Sequence, residues 1–475
     1  MKTSAVSPGR AGLFLLLTGL MLPQIDTSIT NVALDSITES LHASPTQLEL
    51  IVALYGVAFA VCLAMGSKLG DNYGRRRLFM WGVAIFSLAS LLCGVSNSIT
   101  ALLAARTLQG AGAALIVPQI LATLHVTLKG TAHARAISLY GGIGGISFIV
   151  GQMFGGWLVS ADIAGMGWRN AFFINVPIGL LVLAFSRRYV PETRRDEHST
   201  IDWQGTFSLG LILCCLLFPM ALGPELHWPW SMRLMLLAII PLLFWMRATA
   251  LRKEQRGEHP LLPPRLLQLA SIRFGMVIAL LFFSAWSGFM FCMALTMQSG
   301  LGMAPWQSGN SFIALGVAYF LSAMYAPKLI ARHSMGRILV AGLVVQISGL
   351  LLLMETFHHY GQATTTLTLV PATALIGYGQ ALIVNCFYRV GMRDITANDA
   401  GAGSALLSTL QQATLGLGPA VFGSLLLMLM RNHHGSYPQA MIGFLGVEAV
   451  MMLLLAVIAI GLRHHLNRSP AMVTS

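Results

Sequence analysis

Residues 66–77 read Gly66-Ser-Lys-Leu-Gly-Asp71-Asn-Tyr-Gly74-Arg75-Arg76-Arg77, and apolar runs at 47–69 and 78–96 border them. Each run has the roughly twenty residues that a helix needs to cross about 30 Å of hydrocarbon. The segment between them is short, polar and basic, so it reads as a turn joining two membrane spans. Outward from this turn the same pattern recurs. Candidate spans fall at 12–34, 47–69, 78–96, 99–124, 136–160, 170–186, 205–222, 231–251, 273–297, 308–330, 336–357, 364–388, 401–425 and 440–462. Lipid offers the backbone no hydrogen-bond partner, which leaves helices or closed barrels. No period-two alternation is present, so helices follow. Only 10% of the 475 residues are charged and 56% are hydrophobic, whereas a soluble domain carries about 25% charged residues.

The net charge of +12 would suit a nucleic-acid partner, but its placement does not. With the N-terminus in the cytoplasm, 25 of the 29 Lys and Arg fall in cytoplasmic segments. Arg169, Arg233 and Arg431 fall on the other side, and Arg106 lies within the fourth span. The asymmetry predicts both termini inside and an even number of spans. It also accounts for the positive charge without nucleic acid. Lys2 and Arg10 precede the first run, which is too long for a signal peptide and contains Asp26, so it reads as a span. The six cysteines all lie inside apolar runs and read as packing residues.

The chain repeats itself. Lys68-Leu69 and Lys328-Leu329 are 260 apart, Gly74-Arg75 and Gly336-Arg337 262 apart, and Gly151-Gln152 and Gly418-Pro419 267 apart. These offsets predict two parallel six-helix repeats, 1–195 and 266–475. Two inserted spans and a linker occupy 196–265. Parallel repeats of this kind build transporters, with the substrate site between the halves. The charged, proline-containing connector 252–271 reads as a cytoplasmic linker with room for an amphipathic surface helix.

Few polar residues interrupt the spans. Asp26 lies roughly 21 Å along span 1, and Arg106 roughly 10 Å below the outer end of span 4. The two reach a similar depth and can pair. A static pair fixing helix register is the plainer alternative, but an ionisable group inside a span marks a proton or substrate path by default. Glu448 lies roughly 12 Å from the outer end of the last span, either as a second protonatable group in the central cavity or turned to a peripheral face. Glu49 and Glu355 lie near span ends, where they can reach water. In the 66–77 turn, the spacing of Gly66, Asp71 and Gly74 ahead of Arg75 and Arg76 suggests more than a topology signal. It reads as a cytoplasmic latch, its arginines paired to acids of the other half. The small residues Gly151, Gly155 and Gly156 predict close helix packing in span 5. Span 9 is rich in aromatic residues and methionine, and one face, Trp286, Phe289 and Met293, is a candidate cavity lining for flat compounds. Adjacent histidine pairs at 358–359, 433–434 and 464–465 point in different directions on a helix and do not form a metal site. No catalytic constellation and no cofactor motif is visible. Lysines are confined to span ends, unlike a proton-channel subunit, and no loop is long enough for a sensor domain.

Several of these stretches resemble a known family. The 66–77 turn resembles the loop 2–3 signature of the major facilitator superfamily. Leu102-Leu-Ala-Ala-Arg106-Thr-Leu-Gln109-Gly110-Ala-Gly112 resembles its span 4 motif. Ile25-Asp26-Thr27-Ser-Ile-Thr-Asn31-Val-Ala-Leu34 and Trp168-Arg169-Asn-Ala-Phe-Phe-Ile-Asn175-Val-Pro177-Ile-Gly179 resemble motifs of its fourteen-span drug:proton antiporter branch. One departure is in span 5, where the usual Gly-Pro-x-x-Gly-Gly is Gly151-Gln152-Met-Phe-Gly155-Gly156. The resemblance implies an all-α membrane protein of two six-helix bundles plus two inserted helices, in the bacterial inner membrane. It further implies a proton-coupled exporter of small lipophilic or cationic compounds, with Asp26 and Arg106 in coupling or substrate response. Its expected partners are a small-molecule substrate, protons and the lipid bilayer; whether a periplasmic adaptor is recruited is left open. A dedicated exporter or importer of one metabolite is the alternative within the class.

Overall fold

The computed structural model describes residues 9–194, 200–258, 260–395, 400–432 and 435–462. Lys2 and the histidine pairs at 433–434 and 464–465 lie outside the described residues. Among the described residues, fourteen long helices follow one another. They are α1 (Gly9–Leu41), α2 (Pro45–Tyr73), α3 (Arg75–Val95), α4 (Ile99–Thr127), α5 (Gly130–Ala161), α6 (Gly167–Tyr189) and α7 (Trp203–Leu222), then α8 (Trp230–Gln255), α9 (Ala270–Gly300), α10 (Pro305–His333), α11 (Met335–Tyr360), α12 (Thr366–Gly391), α13 (Ala400–Asn432) and α14 (Tyr437–Gly461). Among the described residues, thirteen are long and apolar enough to cross a membrane. The other is α5, whose 32 residues cover the predicted fifth span. Among its described residues the connector holds no surface helix beyond the single turn Pro264–Leu267; instead α8 runs on to Gln255.

Local chemistry starts the helices where the turns require. Ser44 caps α2 with Pro45 behind it and Gln47 completing a capping box. Ser98 caps α4, and Asp202 caps α7 through the Gly205 N–H. Asp202 also accepts from Lys253 and from the Leu261 N–H, tying the end of α8 and the connector to the start of α7. Burial alone would raise the Asp202 pKa, but these donors outweigh it and hold the carboxyl below its usual value.

The helices pair in the same pattern twice. In the first bundle α1 packs on α5, α2 on α4, and α3 on α4 and α6; in the second α9 packs on α13, α10 on α12, and α11 on α12 and α14. Two principal contacts join the bundles, α2 with α13 and α5 with α10, and the repeat exchanges one for the other; α1 also touches α9 and α10. Helices α7 and α8 pack on each other, and α7 covers the line where α2 meets α13. Leu209, Leu213 and Leu217 of α7 interlock there with Leu50, Ala53 and Val57 of α2 and with Ala413, Leu417 and Ala420 of α13.

The repeat register differs from the sequence expectation at one point. Gly74 separates α2 from α3 with φ 105°, and Ser334 separates α10 from α11 with φ 76°. The offset is therefore 260, as for Lys68 and Lys328, and Gly336-Arg337 occupy the places of Arg76-Arg77. A positive φ strains any residue with a Cβ. At Gly74 the added Cβ would also meet the Glu192 carboxylate at 2.6 Å.

Candidate functional site

A cavity of about 1590 Å³ lies between the bundles. Its mouth is on the face that carries the 66–77 turn and is ringed by Lys68, Asp71, Arg75, Arg194, Glu254, Glu258, Arg265 and Arg389. Toward its inner end, which Asn31 and Val52 also line, Gly56 of α2 meets Gly416 of α13. A Cβ on Gly56 would lie 2.3 Å from the Gly416 Cα. The face opposite the mouth is closed on both sides of this point. A Cβ on Gly156 of α5 would lie 2.4 Å from the Pro305 carbonyl oxygen, and one on Gly309 equally close to that of Gln152. The Trp306 N–H donates to Ser160, and Ser299 donates to Asp35 at 2.5 Å. Gly151 and Gly155 instead press α5 onto Ile25, Ser28 and Ile29 of α1. Gln152, in place of the motif's proline, is fully buried with neither amide atom bonded.

Asp26 and Arg106 form the buried pair, each with no exposed surface. Gln109 bridges them, accepting from Arg106 at 2.6 Å and donating to Asp26 at 2.6 Å and to Ser90 at 2.8 Å. Asn175 donates to the same Asp26 oxygen at 3.0 Å, and Arg106 Nε donates to the Ile51 carbonyl. Helices α1, α2, α3, α4 and α6 thus converge on one carboxylate. Gln109 and Asn175 stood in the motif stretches without an assigned role; Ser90 has no signal in the sequence. The Tyr55 ring lies against the guanidinium at 4.4 Å, and its hydroxyl donates to the Pro23 carbonyl. Tyr55 also lines the cavity, whereas Asp26 and Arg106 do not. It therefore forms the wall between the ion pair and the cavity.

The remaining candidates are placed differently from expectation. Of the span 9 face, Trp286 lines the cavity and stacks on Tyr319 with ring centroids 6.0 Å apart. Phe289 and Met293 are fully buried in the second bundle, and Ser287 and Met290 take their place on the wall. Trp286, Phe289 and Met293 all lie in the regular stretch Ser284–Leu295, between π-helical turns at Ala279–Phe283 and Thr296–Gly300; the cavity-facing line runs from Trp286 to Met290, one turn on, and Phe289 and Met293 turn into the bundle. Glu448 lies neither in the cavity nor on a peripheral face. It is buried between α14 and α11, where the Gln346 amide reaches it at 3.4 Å. Glu49 does not reach water; it is fully buried against Ser424 of α13, while Glu355 is exposed. The latch charges pair within their own bundle. Arg75 bonds Asp71 at 2.6 Å, and Arg76 and Arg77 face Glu192 at 3.6 and 3.8 Å. With the mouth open, no acid of the second bundle is their partner among the described residues.

The hydrogen-bonding groups deeper in the cavity are neutral. Gln24, Thr27 and Asn31 line it from α1, and Tyr388 and Gln411, bonded at 2.6 Å, from α12 and α13. The lining carboxylates are Asp71, Glu254 and Glu258, all at the mouth. This combination of enclosed cavity, aromatic stack and neutral polar groups suits a flat organic molecule.

Two six-helix bundles closed at one face around such a cavity define a carrier of the alternating-access class. The chain belongs to the Major Facilitator Superfamily, whose family model matches residues 16–419. It is 32% identical over 421 residues to a probable actinorhodin transporter of Streptomyces coelicolor, covering 88% of this chain and 73% of that one. It is 30% identical to a tetracenomycin C resistance and export protein of Streptomyces glaucescens, covering 88% and 75%. Among solved structures, a peptide transporter crystallised with sulfate superposes with a TM-score of 0.71 over 98% of this chain and 97% of that one, at 14% identity. That likeness concerns the fold alone.

Proposed function

We propose that this protein is a proton-coupled exporter of small drug-like compounds from the bacterial cytoplasm. The observation that carries the reading is the cavity, open on the basic face and sealed opposite it, between two bundles with matching helix pairing. The basic face is the cytoplasmic one by its charge, with both termini there. Helices 1–195 and 266–475 rock about the cavity, while 196–265 stays against the α2–α13 seam. Relatives named as export and resistance proteins support the direction of transport. Asp26 takes up and releases the coupled proton, with Arg106, Gln109 and Asn175 positioning it. Asp71 and Arg75 act as a latch when the mouth closes and brings them toward Arg389.

The cavity favours planar aromatic compounds with hydroxyl or carbonyl groups over lipophilic cations. Its deeper wall offers stacking on Trp286 and hydrogen bonds from tyrosine and amides, while Tyr55 keeps the Asp26 carboxylate away from a bound cation. The test is efflux of a planar aromatic dye in vesicles with an imposed pH gradient. Asp26→Asn, at matched expression, should lose gradient-driven efflux while still binding dye. Wild-type efflux from that variant would remove Asp26 from the coupling.

A further inference from the structure

Glu49 is a buried carboxylate that the cycle described above does not use. It sits near the start of α2, at the face opposite the mouth, with no exposed surface. Its oxygens lie 3.1 and 3.5 Å from the Ser424 hydroxyl of α13. The same hydroxyl lies 2.8 Å from the main-chain oxygen of Met220 in α7. A serine hydroxyl carries one hydrogen, and a carbonyl oxygen can only accept. Ser424 therefore donates to Met220 along the shorter contact. With that proton committed, a carboxyl that carries its own proton can donate to the serine oxygen and complete the contact, whereas a carboxylate cannot.

The surroundings agree. From α13, Gly423 lies so close that a Cβ there would stand 2.6 Å from a Glu49 oxygen. From α9, the buried Cys292 reaches the Phe422 carbonyl, next to Gly423, and the acid on its other side is Glu448. Past the end of α7 the nearest charged neighbour is another acid, Glu225. Among the described residues no Lys, Arg or His pairs with it. An ionised Glu49 would be an uncompensated buried charge. Seven residues along α2 and eight along α13 lies the Gly56–Gly416 contact, so Glu49 and Ser424 stand roughly 10–12 Å outward of it on the same seam.

We infer that Glu49 is a proton-dependent lock on the α2–α13 seam. When the seam opens outward, water reaches the carboxylate and it ionises. Closing requires a proton from the outer medium to form the O–H that bonds Ser424, and the next opening returns that proton to the same side. The lock therefore moves no net charge. It adds to the cycle a dependence on outer pH that is separate from Asp26. It rests on the alternating-access reading above.

The test measures the seam directly. Spin labels at Ser40→Cys and Gln439→Cys, both exposed at the outer ends of α1 and α14, would report the distance between the bundles, with the six native cysteines replaced by serine or alanine. In lipid nanodiscs without substrate, raising pH from about 5.5 to about 8.5, across the range reached by raised carboxyl pKa values, should enlarge the long-distance population severalfold. Glu49→Gln, whose amide still donates to Ser424, should keep the short distance throughout. Glu49→Asp should retain a pH response with a changed midpoint, and Asp26→Asn should titrate like the parent. A parent without pH response, or a Glu49→Gln variant that titrates like it, would overturn the lock. Loss of gradient-driven efflux in the parent with the distance titration intact would instead overturn the exporter reading and leave the lock standing.

Discussion

Arg106 ties α4 to α1 and α2 in the first bundle. Its guanidinium joins Asp26, Gln109 and the Ile51 carbonyl and lies over Tyr55. Arg106→Ala should therefore cost stability as well as transport, by about 3–5 kcal/mol, because the change leaves Asp26 buried without its cation. Thermal unfolding in detergent beside Asp26→Asn separates the two effects, since Asp26→Asn keeps hydrogen bonds to the arginine. Glu448 makes the opposite case. Its one hydrogen bond is a long one to Gln346, inside the second bundle and away from the cavity. Glu448→Gln should leave gradient-driven efflux unchanged; a loss as deep as that of Asp26→Asn would make Glu448 a second coupling site.

At the scale of the helix, α9 separates two kinds of aromatic residue that look alike in the sequence. Trp286 faces the cavity and stacks on Tyr319, and an aromatic contact of this kind is worth about 0.5–1.5 kcal/mol beyond burial. Trp286→Ala should weaken dye binding by roughly 2- to 12-fold on that basis while the protein stays folded. Phe289→Ala, in the packed bundle, should instead lower stability by about 3–5 kcal/mol, readable as a drop in Tm with dye affinity nearly unchanged in the folded fraction. The seam between α5 and α10 gives a further expectation. Gly156→Leu places a side chain where the Pro305 carbonyl now lies, so it should hold the outer face open. The outer label pair would then report the long distance even at low pH.

At the scale of the whole molecule, the charge asymmetry makes a topological prediction that the coordinates alone do not. Reporter fusions after His227 should read as periplasmic and after Pro260 as cytoplasmic, because Pro260 lies at the basic mouth and His227 at the opposite end of α7. A cytoplasmic signal at His227 would reverse the direction in which the cavity faces and with it the export reading. The inserted helices also acquire a role at this scale. By covering the α2–α13 line, α7 excludes lipid and water from a seam that would otherwise lie at the edge of the bundles.

The sequence by itself determined the membrane helices and the existence of a repeat. Those follow from hydropathy run length and charge placement, which depend on the bilayer and not on neighbours. It also made Asp26 and Arg106 legible as a pair, since each lies at a similar depth and an ionisable group in lipid needs a partner. Only the tertiary structure decided which face of a helix meets which neighbour. Depth along a helix is fixed by residue count, but rotation about its axis is set by packing, so α9 presents Trp286 and Met290 to the cavity and turns Phe289 and Met293 into the bundle. Burial near a span end is likewise invisible to hydropathy: Glu49 looks solvated in the sequence because it lies four residues into its helix, and is dry because α13 and α7 close over it.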